Sequence, residues 1–368
     1  MPGDKSTVLI TGVAGNLGLR LLPQLRDFAV VGLDRVAPAI AGLEAFEETD
    51  LGQESSCDQL VRLLLQTQAT AIVHLAFVID PVRTGVFDVQ RMWQINVAGT
   101  ARVLEAIAEV NRMGGKVRKL VVPSSVSAYG PDLPGQVSES FPLAGHTLPY
   151  AIHKRESDEV VQMRAPHLGD CKTFILRPHI FAGASMQNYL IGALRGTPTG
   201  GGRWGARLRA HGTRLPLLLP SGTRYVRNRL QFVHVDDVAR LIAYILRDQR
   251  QHPSPTILNV AGRGDSVTYE DSVRIANAKT LRLPGKSFCR LVLSLLWDLG
   301  ISGVPPDALA YMTGSYVMST ARLRHFLGKD YEEVIRYTIR EALADSFTPE
   351  RAGAFDPTPA VSQSAATK

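Results

Sequence analysis

The sequence is poor in cysteine and has no long uncharged apolar run. Its 368 residues include three cysteines, which lie far apart at positions 57, 171 and 289. An odd, sparse set of cysteines argues against a disulfide framework and against a zinc site, and it fits a reducing compartment. The longest apolar stretch, near 288–297, contains Arg290 and is too short to span a bilayer.

A signal peptide is not expected either, because the first apolar strand is predicted from about residue 6. These absences predict a cytoplasmic protein without stable membrane insertion, and nothing in the sequence indicates a metal site. The chain is 45% hydrophobic and 20% charged, which is typical of a folded globular protein. Its length suits one large α/β unit or two lobes.

Acidic residues are missing from one long segment. Residues 195–229 contain eight arginines and no Asp or Glu, and the whole chain has a net charge of +7. Glycines at 200–202 and prolines at 216 and 220 predict that this segment is a long loop or flap. It is either a solvated basic insertion or a surface that attracts an anionic substrate, a membrane face or a partner. No nucleic-acid-binding module accompanies the charge, so nucleic-acid recognition is not expected.

A glycine-rich turn stands between a predicted strand and a predicted helix. The apolar run at 8–10 is followed by Thr-Gly-Val-Ala-Gly-Asn-Leu-Gly at 11–18, and leucines then repeat at helical spacing. Glycine allows a tight turn and a close approach of the backbone to a pyrophosphate, and the helix N-terminus favours the phosphate charge. The candidate dinucleotide-binding residues here are Gly12, Gly15, Asn16, Leu17 and Gly18.

An acidic residue ends the second apolar run, 22 positions after Gly12. Asp34 is placed to bind both ribose hydroxyls of NAD and to repel the 2′-phosphate of NADP. Arg35 follows directly and is able to contact a phosphate at that position. The acid favours NAD over NADP as the cofactor.

Strands alternate with helices along the first half of the chain. Strands are predicted at 71–77, 120–122 and 173–176, and helices at 96–110 and 150–163. The alternation predicts an α/β fold: a Rossmann doubly wound parallel sheet with a smaller C-terminal substrate lobe. Ligands of such sheets lie across the carboxyl ends of the strands. The residues predicted to share that rim are Asp34, Asp50, Ala76, Ser125 and Pro178.

The domain boundaries follow from this pattern. Residues 1–180 are predicted to form the NAD(P)-binding domain, to which 230–262 return through a strand and a helix at 232–246. Residues 181–345 are predicted to form mainly the substrate-binding lobe. Residues 346–368 are rich in Pro, Ala, Ser and Thr, which predicts a disordered tail.

Three residues on the rim form a candidate catalytic set. Tyr150 and Lys154 are four residues apart and share a helix face, and Ser125 lies at a strand end 25 residues before Tyr150. A neighbouring ammonium is expected to lower the pKa of the Tyr150 phenol. Tyr150 then exchanges a proton with an alcohol or a carbonyl, Ser125 binds the substrate oxygen, and Lys154 holds the nicotinamide ribose while hydride is transferred.

Together these motifs resemble the extended short-chain dehydrogenase/reductases of the NAD-dependent epimerase/dehydratase family. The resemblance covers about residues 6–345 and keeps the family's order. The matching stretches are the glycine turn at 11–18, Asp34, Asp50-Leu51, His74-Leu-Ala-Phe77, Asn96-Val-Ala-Gly-Thr100, Ser124-Ser-Val-Ser-Ala-Tyr-Gly130, Tyr150-Ala-Ile-His-Lys154, Leu176-Arg-Pro178, Phe232-Val-His-Val-Asp-Asp-Val-Ala239 and Ser319-Thr-Ala-Arg-Leu-Arg-His-Phe-Leu-Gly328.

The resemblance implies further cofactor contacts. It places Asp50 and Leu51 near the adenine. It places Leu75, Ala76 and Phe77 along the ribose and phosphates. Beside the nicotinamide it places Pro178 and Ile180. It makes Asn96 a structural residue or part of a proton relay. It also implies a homodimer formed through helices near 96–110 and 150–165.

The substrate region departs from the family's nucleotide-sugar enzymes. Those enzymes carry an arginine two residues before the Phe of Phe232-Val-His-Val, where this sequence has Leu230, and Arg229 is one residue out of register. A second expected arginine is missing from 312–316. The apolar segment 281–304 is either a helix packed on the core of the lobe or a wall for an apolar, hydroxysteroid-like alcohol or ketone.

Several functions are compatible with these observations. The first is an NAD(P)-dependent oxidoreductase or epimerase that acts on a small molecule by hydride transfer. The alternatives are a nucleotide-sugar epimerase or dehydratase and, in another class, a non-catalytic dinucleotide sensor or scaffold. The retained set of Ser125, Tyr150 and Lys154 favours an enzyme, since a sensor needs none of the three.

Overall fold

The computed structural model describes residues 5–79, 86 and 88–348. Its strands, in chain order, are Thr7–Thr11 (β1), Ala29–Asp34 (β2), Ala45–Glu48 (β3), Ala71–His74 (β4), Lys119–Pro123 (β5), Gln136–Val137 (β6), Lys172–Pro178 (β7), Ile180–Ala182 (β8), Leu217–Pro220 (β9), Arg229–Leu230 (β10), Phe232–His234 (β11), Thr256–Val260 (β12), Val267–Thr268 (β13), Thr280–Leu283 (β14) and Val317–Met318 (β15).

The α-helices are Asn16–Leu21 (α1), Ser56–Thr67 (α2), Val89–Trp93 (α3), Gly99–Arg112 (α4), Pro149–Arg164 (α5), Tyr189–Arg195 (α6), Arg203–Ala210 (α7), Thr223–Arg227 (α8), Val235–Arg247 (α9), Tyr269–Ala276 (α10), Gly285–Asp298 (α11), Leu309–Thr313 (α12), Ala321–Leu327 (α13), Tyr331–Val334 (α14) and Ile339–Asp345 (α15). A π-helical turn, Gln94–Ala98, joins α3 to α4. In the part of the chain that the structure describes, no helix is both long and apolar enough to cross a bilayer.

Seven parallel strands form the central sheet, in the order β3-β2-β1-β4-β5-β7-β12. The order reverses between β1 and β4, so the connections that leave these two strands diverge and open a crevice at their carboxyl ends. This arrangement confirms the predicted doubly wound Rossmann sheet.

Helices cover both faces of the sheet because successive apolar side chains along each strand point to opposite faces. Val8 and Ile10 belong to a core that includes α1, α9 and α13, whereas Leu9 faces a second core formed with α2, α4 and α5. A strand buried on both faces reads as a continuous apolar run, which is how 8–10 appears in the sequence.

The C-terminal lobe is built on short two-stranded sheets with a separate core, which includes Leu219, Tyr269, Tyr316 and Ile339. One expectation is wrong here: the strand Phe232–His234 does not return to the main sheet but pairs with β8. The elements that return are α9, which packs on the sheet, and β12, which joins its edge.

The arginine-rich segment 195–229 is not the loop or flap that its glycines and prolines predict. It contains α7, β9, α8 and β10, and β9 pairs in parallel with β14. Ser346, which is predicted to begin a disordered tail, is instead buried, and its hydroxyl accepts a hydrogen bond from the Gly183 N–H over 2.9 Å. Residues 349–368 of that tail lie outside the described residues.

Candidate active site

The turn after β1 forms a cradle that only glycine fits. Gly12 has a φ of +72°, and a Cβ added there would lie 2.4 Å from the backbone nitrogen of Ala76. A Cβ on Gly18 would lie 2.4 Å from the carbonyl oxygen of Val13. A turn packed this tightly is the form that the backbone needs in order to approach a pyrophosphate closely at the start of a helix.

The carboxylate of Asp34 lies against this turn. It accepts hydrogen bonds from the backbone N–H groups of Ala14, over 2.9 Å, and of Arg35, over 2.7 Å. Burial raises the pKa of Asp34, and these hydrogen bonds oppose the rise. The Arg35 side chain is exposed. The arrangement fits a ribose diol held by an acid beside the glycine cradle.

Asp50 and Leu51, predicted near the adenine, follow β3 on the outer part of the same rim. Asp50 forms an ion pair with Arg91 and accepts a hydrogen bond from the Gly52 N–H over 2.9 Å. Arg91 also donates to the Gly52 carbonyl over 3.1 Å. Sequence reasoning missed Arg91, since nothing in its local sequence distinguishes it from any other helical arginine.

The segment after β4 is fastened to the glycine turn. The backbone N–H of Leu75 donates to the Thr11 carbonyl over 2.9 Å, and that of Ala76 donates to the Thr11 hydroxyl over 3.3 Å. His74 lies between the hydroxyls of Thr11, at 2.7 Å, and Thr100, at 3.0 Å. Burial, helped by the charge of Lys154, lowers the pKa of His74 to about 3, so the ring is a neutral structural group.

Asn96 lies in the π-helical turn and holds the same segment from the other side. Its side-chain amide donates to the Val78 carbonyl over 3.0 Å and accepts from the Val78 N–H over 2.7 Å. The amide nitrogen is also 3.3 Å from Nδ1 of His153. These contacts support the structural alternative for Asn96.

The three candidate catalytic residues converge at the carboxyl end of β5. The Ser125 hydroxyl accepts the Ser127 N–H over 3.1 Å, and its position beside the Tyr150 phenol favours a lower pKa of that phenol. Lys154 donates through Nζ to the Pro123 carbonyl over 2.8 Å. Helix α5 presents Tyr150 and Lys154 on the same side, as their spacing predicts.

The expected activation of Tyr150 by Lys154 is not seen. Burial raises the pKa of Tyr150, and only the Ser125 hydrogen bond opposes it. Burial also lowers the pKa of Lys154 to about 7, against the opposing charge of Asp158. A protonated amine is therefore only partly populated at neutral pH, and proximity in sequence did not predict this loss of charge.

Phe77 contacts both of these groups. Its ring is edge-on to the Tyr150 ring, with centroids 5.9 Å apart, and Nζ of Lys154 lies 3.5 Å from its centroid. The aromatic face stabilises the ammonium, since a cation is attracted to the ring quadrupole. The sequence places Phe77 near the ribose but gives no sign of this contact.

The remaining predicted cofactor residues follow β7, which lies beside β5 in the sheet. Pro178 ends that strand, and Ile180 begins β8. Between them His179 is buried, its Nε2 is 3.2 Å from the Tyr316 carbonyl, and burial lowers its pKa to about 3. A neutral histidine at this point supplies no charge for a phosphate.

Asn16 links the glycine turn to the C-terminal lobe. Its side-chain amide donates to the Ser185 carbonyl over 3.0 Å, and the Ser185 hydroxyl is 3.4 Å from the Asn16 amide oxygen. Ser185 was not predicted from the sequence, because the two residues are 169 positions apart.

Among the described residues, the buried Ser124 hydroxyl next to Ser125 has no hydrogen-bond partner, so a polar group of a ligand is able to satisfy it.

Leu230 stands where the resemblance predicts the arginine of nucleotide-sugar enzymes, and Arg229 is its neighbour. Leu230 is fully buried on β10. Arg229 points away to the surface, where it donates to the Ser266 hydroxyl over 2.7 Å and to the Ser266 carbonyl over 2.9 Å. The one-residue shift thus places leucine in the interior and arginine outside.

An apolar cluster packs against Tyr150 on the lobe side. It joins the start of α5 to α11, α12 and the end of β14. Its buried members are Leu148, Ala151, Leu283, Cys289, Leu293, Val304, Ala308 and Leu309. The surroundings of the phenol ring are therefore mainly hydrocarbon.

Comparisons with known proteins identify the family of the chain. A model of the NAD-dependent epimerase/dehydratase family matches residues 8–261. The UDP-glucose 4-epimerase of Erwinia amylovora and UDP-glucose 4-epimerase 2 of Oryza sativa subsp. japonica are each 28% identical, over 184 and 206 residues. These alignments cover 46% and 52% of this chain and 52% and 48% of the relatives, so the chain spans about half the length of the curated relatives it matches.

A solved structure shares the fold. The UDP-glucose 4-epimerase of Thermus thermophilus, crystallised in complex with NAD, has a TM-score of 0.65 and 21% sequence identity. The match covers 95% of this chain and 100% of that chain.

Proposed function

Because the chain belongs to the NAD-dependent epimerase/dehydratase family, we propose that it is an NAD-dependent enzyme that acts on a carbon bearing an alcohol or a carbonyl. The observation that carries this proposal is the convergence of Ser125, Tyr150 and Lys154 beside the glycine cradle. A protein that only senses a dinucleotide has no need for a serine, a phenol and an amine together at this rim.

NAD fits the residues present, and when bound it supplies a hydride acceptor at its nicotinamide. The backbone of 12–18 would hold the pyrophosphate, and Asp34 would hold the adenosine ribose. Asp50 and Leu51 would border the adenine. Phe77, Pro178 and Ile180 would border the rest of the cofactor, and Lys154 would bind the second ribose.

Tyr150 is the residue that transfers the proton. Since burial raises its pKa, the phenol carries its proton at neutral pH and is ready to donate it to a carbonyl oxygen. In the opposite direction the phenol must first lose this proton, so that it is able to accept one from the alcohol. The Ser125 hydroxyl orients the same substrate oxygen by a hydrogen bond.

For the substrate we propose an apolar alcohol or ketone of a hydroxysteroid-like class. Buried Leu230, outward-pointing Arg229 and neutral His179 offer no cation for a diphosphate. The hydrocarbon cluster around Tyr150 favours a ligand that buries apolar surface.

The second candidate is a nucleotide-sugar epimerase or dehydratase. The names of the two curated relatives favour it, because both are UDP-glucose 4-epimerases. Such an enzyme returns the hydride to its substrate and leaves the nicotinamide unchanged after each turnover.

A substrate panel tests the proposal and separates the two candidates. When NAD is mixed with apolar secondary alcohols such as 3-hydroxysteroids, we expect the nicotinamide absorbance to change in proportion to the amount of alcohol oxidised. We expect no conversion of UDP-glucose when the nucleotide sugars are separated by chromatography. Conversion of UDP-glucose without net change in absorbance would establish the second candidate instead.

Cofactor preference is a separate prediction. At a concentration of about 100 times its Kd, NAD should stabilise the protein by about 2.7 kcal/mol and raise its melting temperature. NADP at the same concentration should raise the melting temperature less, because Asp34 repels the 2′-phosphate. Asp34→Ser should narrow the difference, and Asp170→Ser, at an exposed carboxylate, should leave it unchanged. A larger shift with NADP than with NAD for the natural sequence would contradict the assignment of Asp34.

A further inference from the structure

One face of α11 carries an exposed apolar stripe. Phe288 is 45% exposed, Leu291 and Leu295 are each 55% exposed, and Leu299, just past the helix, is 51% exposed. The opposite face buries Cys289 and Leu293 against the core of the lobe. The helix is therefore anchored by one face while the other presents large apolar side chains to the surroundings.

The stripe is the centre of a larger apolar patch. Leu281, on β14 just before the helix, is 45% exposed, and Trp204 on α7 is 46% exposed. The start of α7 touches the end of α11, since the Gly202 N–H donates to the Gly300 carbonyl over 3.0 Å. Of twelve large hydrophobic side chains exposed in the part of the chain that the structure describes, six belong to this patch. An exposed apolar concentration of this kind marks an interaction surface.

The elements around the patch also hold the positive charge of the protein. Segments 195–229 and 277–304 contain twelve of the 41 Lys and Arg residues and one of the 34 Asp and Glu residues. Outside them, 29 basic residues are outnumbered by 33 acidic ones, so the net charge of +7 arises from this region. The two segments are joined by the pairing of β9 with β14, and Nζ of Lys286 lies 5.7 Å from the ring centroid of Tyr225.

We propose that this surface docks the protein on an anionic lipid bilayer. A helix whose apolar side chains enter the boundary between head groups and acyl chains, with cations around it, is the usual form of an interfacial membrane contact. Anionic head groups attract the surrounding Lys and Arg residues, and the apolar stripe adds affinity that charge alone does not provide. The docking is peripheral and is independent of the catalytic proposal.

Three other occupants fit the patch less well. A second copy of the chain would bring two strongly basic surfaces together, and like charges repel. A nucleic acid would match the charge but leave the leucines and Phe288 without apolar partners. Residues 349–368 contain only two large apolar residues, Phe355 and Val361, which are too few to cover the patch.

Vesicle co-sedimentation of the full chain tests the proposal. We expect binding to vesicles in which about a third of the lipid is phosphatidylglycerol, and much weaker binding to pure phosphatidylcholine vesicles. Binding to the anionic vesicles should fall as salt concentration rises, because salt screens the cations. Tyr150→Phe should bind these vesicles like the natural sequence, which separates a failure of docking from a failure of the proposed catalysis.

Paired variants separate the two contributions. Leu291→Ser with Leu295→Ser should weaken binding at least about tenfold by removing apolar surface from the stripe. Arg282→Gln with Lys286→Gln should weaken it about 25-fold, or about fivefold for each charge removed. The matched controls are Met113→Ser, an exposed apolar residue, and Lys116→Gln, an exposed cation, both outside the patch. Neither control should change vesicle binding.

Three results would overturn the docking proposal. The first is equal binding to neutral and anionic vesicles, or none to either. The second is that the natural sequence binds no vesicles while Leu291→Ser with Leu295→Ser changes the mass measured by light scattering. This result would assign the patch to self-association. The third is tighter binding to a random DNA duplex than to the anionic vesicles.

Discussion

Replacing Tyr150 by phenylalanine is expected to lower turnover by about 10²- to 10⁴-fold, which is the usual contribution of a positioned acid or base. The variant removes the hydroxyl that lies beside Ser125 and keeps the ring that packs against Phe77. Because the ring fills the same space, the protein should stay folded. Cofactor binding should persist, since the glycine cradle and Asp34 are unchanged.

The measurement is the initial rate of nicotinamide absorbance change on the best substrate of the panel, together with the thermal shift produced by NAD. Tyr244→Phe is a matched control: its hydroxyl contacts Asp330 over 3.0 Å, on the face of the sheet that α9 covers. This control should keep its turnover within a few-fold. Should Tyr150→Phe turn over within tenfold of the natural sequence, the phenol does not transfer the proton and the proposed mechanism is wrong.

Replacing Arg177 by methionine is expected to destabilise the fold by about 3–5 kcal/mol, because it leaves a charged partner buried and unpaired. Arg177 is 1% exposed and donates to both carboxylate oxygens of Asp158, over 2.8 and 2.9 Å. It also donates to the Tyr129 hydroxyl over 2.8 Å and to the Glu139 carbonyl over 2.9 Å. One side chain thereby ties β7 to α5 and to the segment after β5.

Denaturant unfolding, followed by far-UV circular dichroism, measures this loss. The double variant Arg177→Met/Asp158→Leu should recover part of it, since no charge is then left without a partner. Arg118→Met is the control, because Arg118 and Asp170 form an exposed pair at 3.4 Å that should contribute about 0–1 kcal/mol. Equal losses for the Arg177 and Arg118 variants would show that the buried network does not support the fold.

Much of the site was predictable because its parts are local in sequence. The strand before the glycine turn, the acid at the end of β2 and the helical spacing of Tyr150 and Lys154 each depend on a few neighbouring residues. Once the sheet is parallel, the carboxyl ends of its strands must share a rim. This geometric rule brought Ser125 to Tyr150 without any information about their contact.

The missed features all depend on distant partners. Arg91 beside Asp50 and Ser185 beside Asn16 are contacts between segments 41 and 169 positions apart. The glycines of the arginine-rich segment predict irregular backbone. In the structure Gly200, Gly202 and Gly205 instead allow close packing on Gly300, which a side chain would prevent.

Hydrophobic period and glycine placement act over short distances, so the sequence alone predicts the sheet, the glycine cradle and the candidate catalytic residues. The ionisation of these residues depends instead on how the chain packs around them. Burial depends on everything packed around a group, so it raised the pKa of Tyr150 and lowered that of Lys154 where adjacency alone predicts the reverse for the phenol. For the same reason, only packing decided which face of α11 is buried and which is left as an exposed stripe.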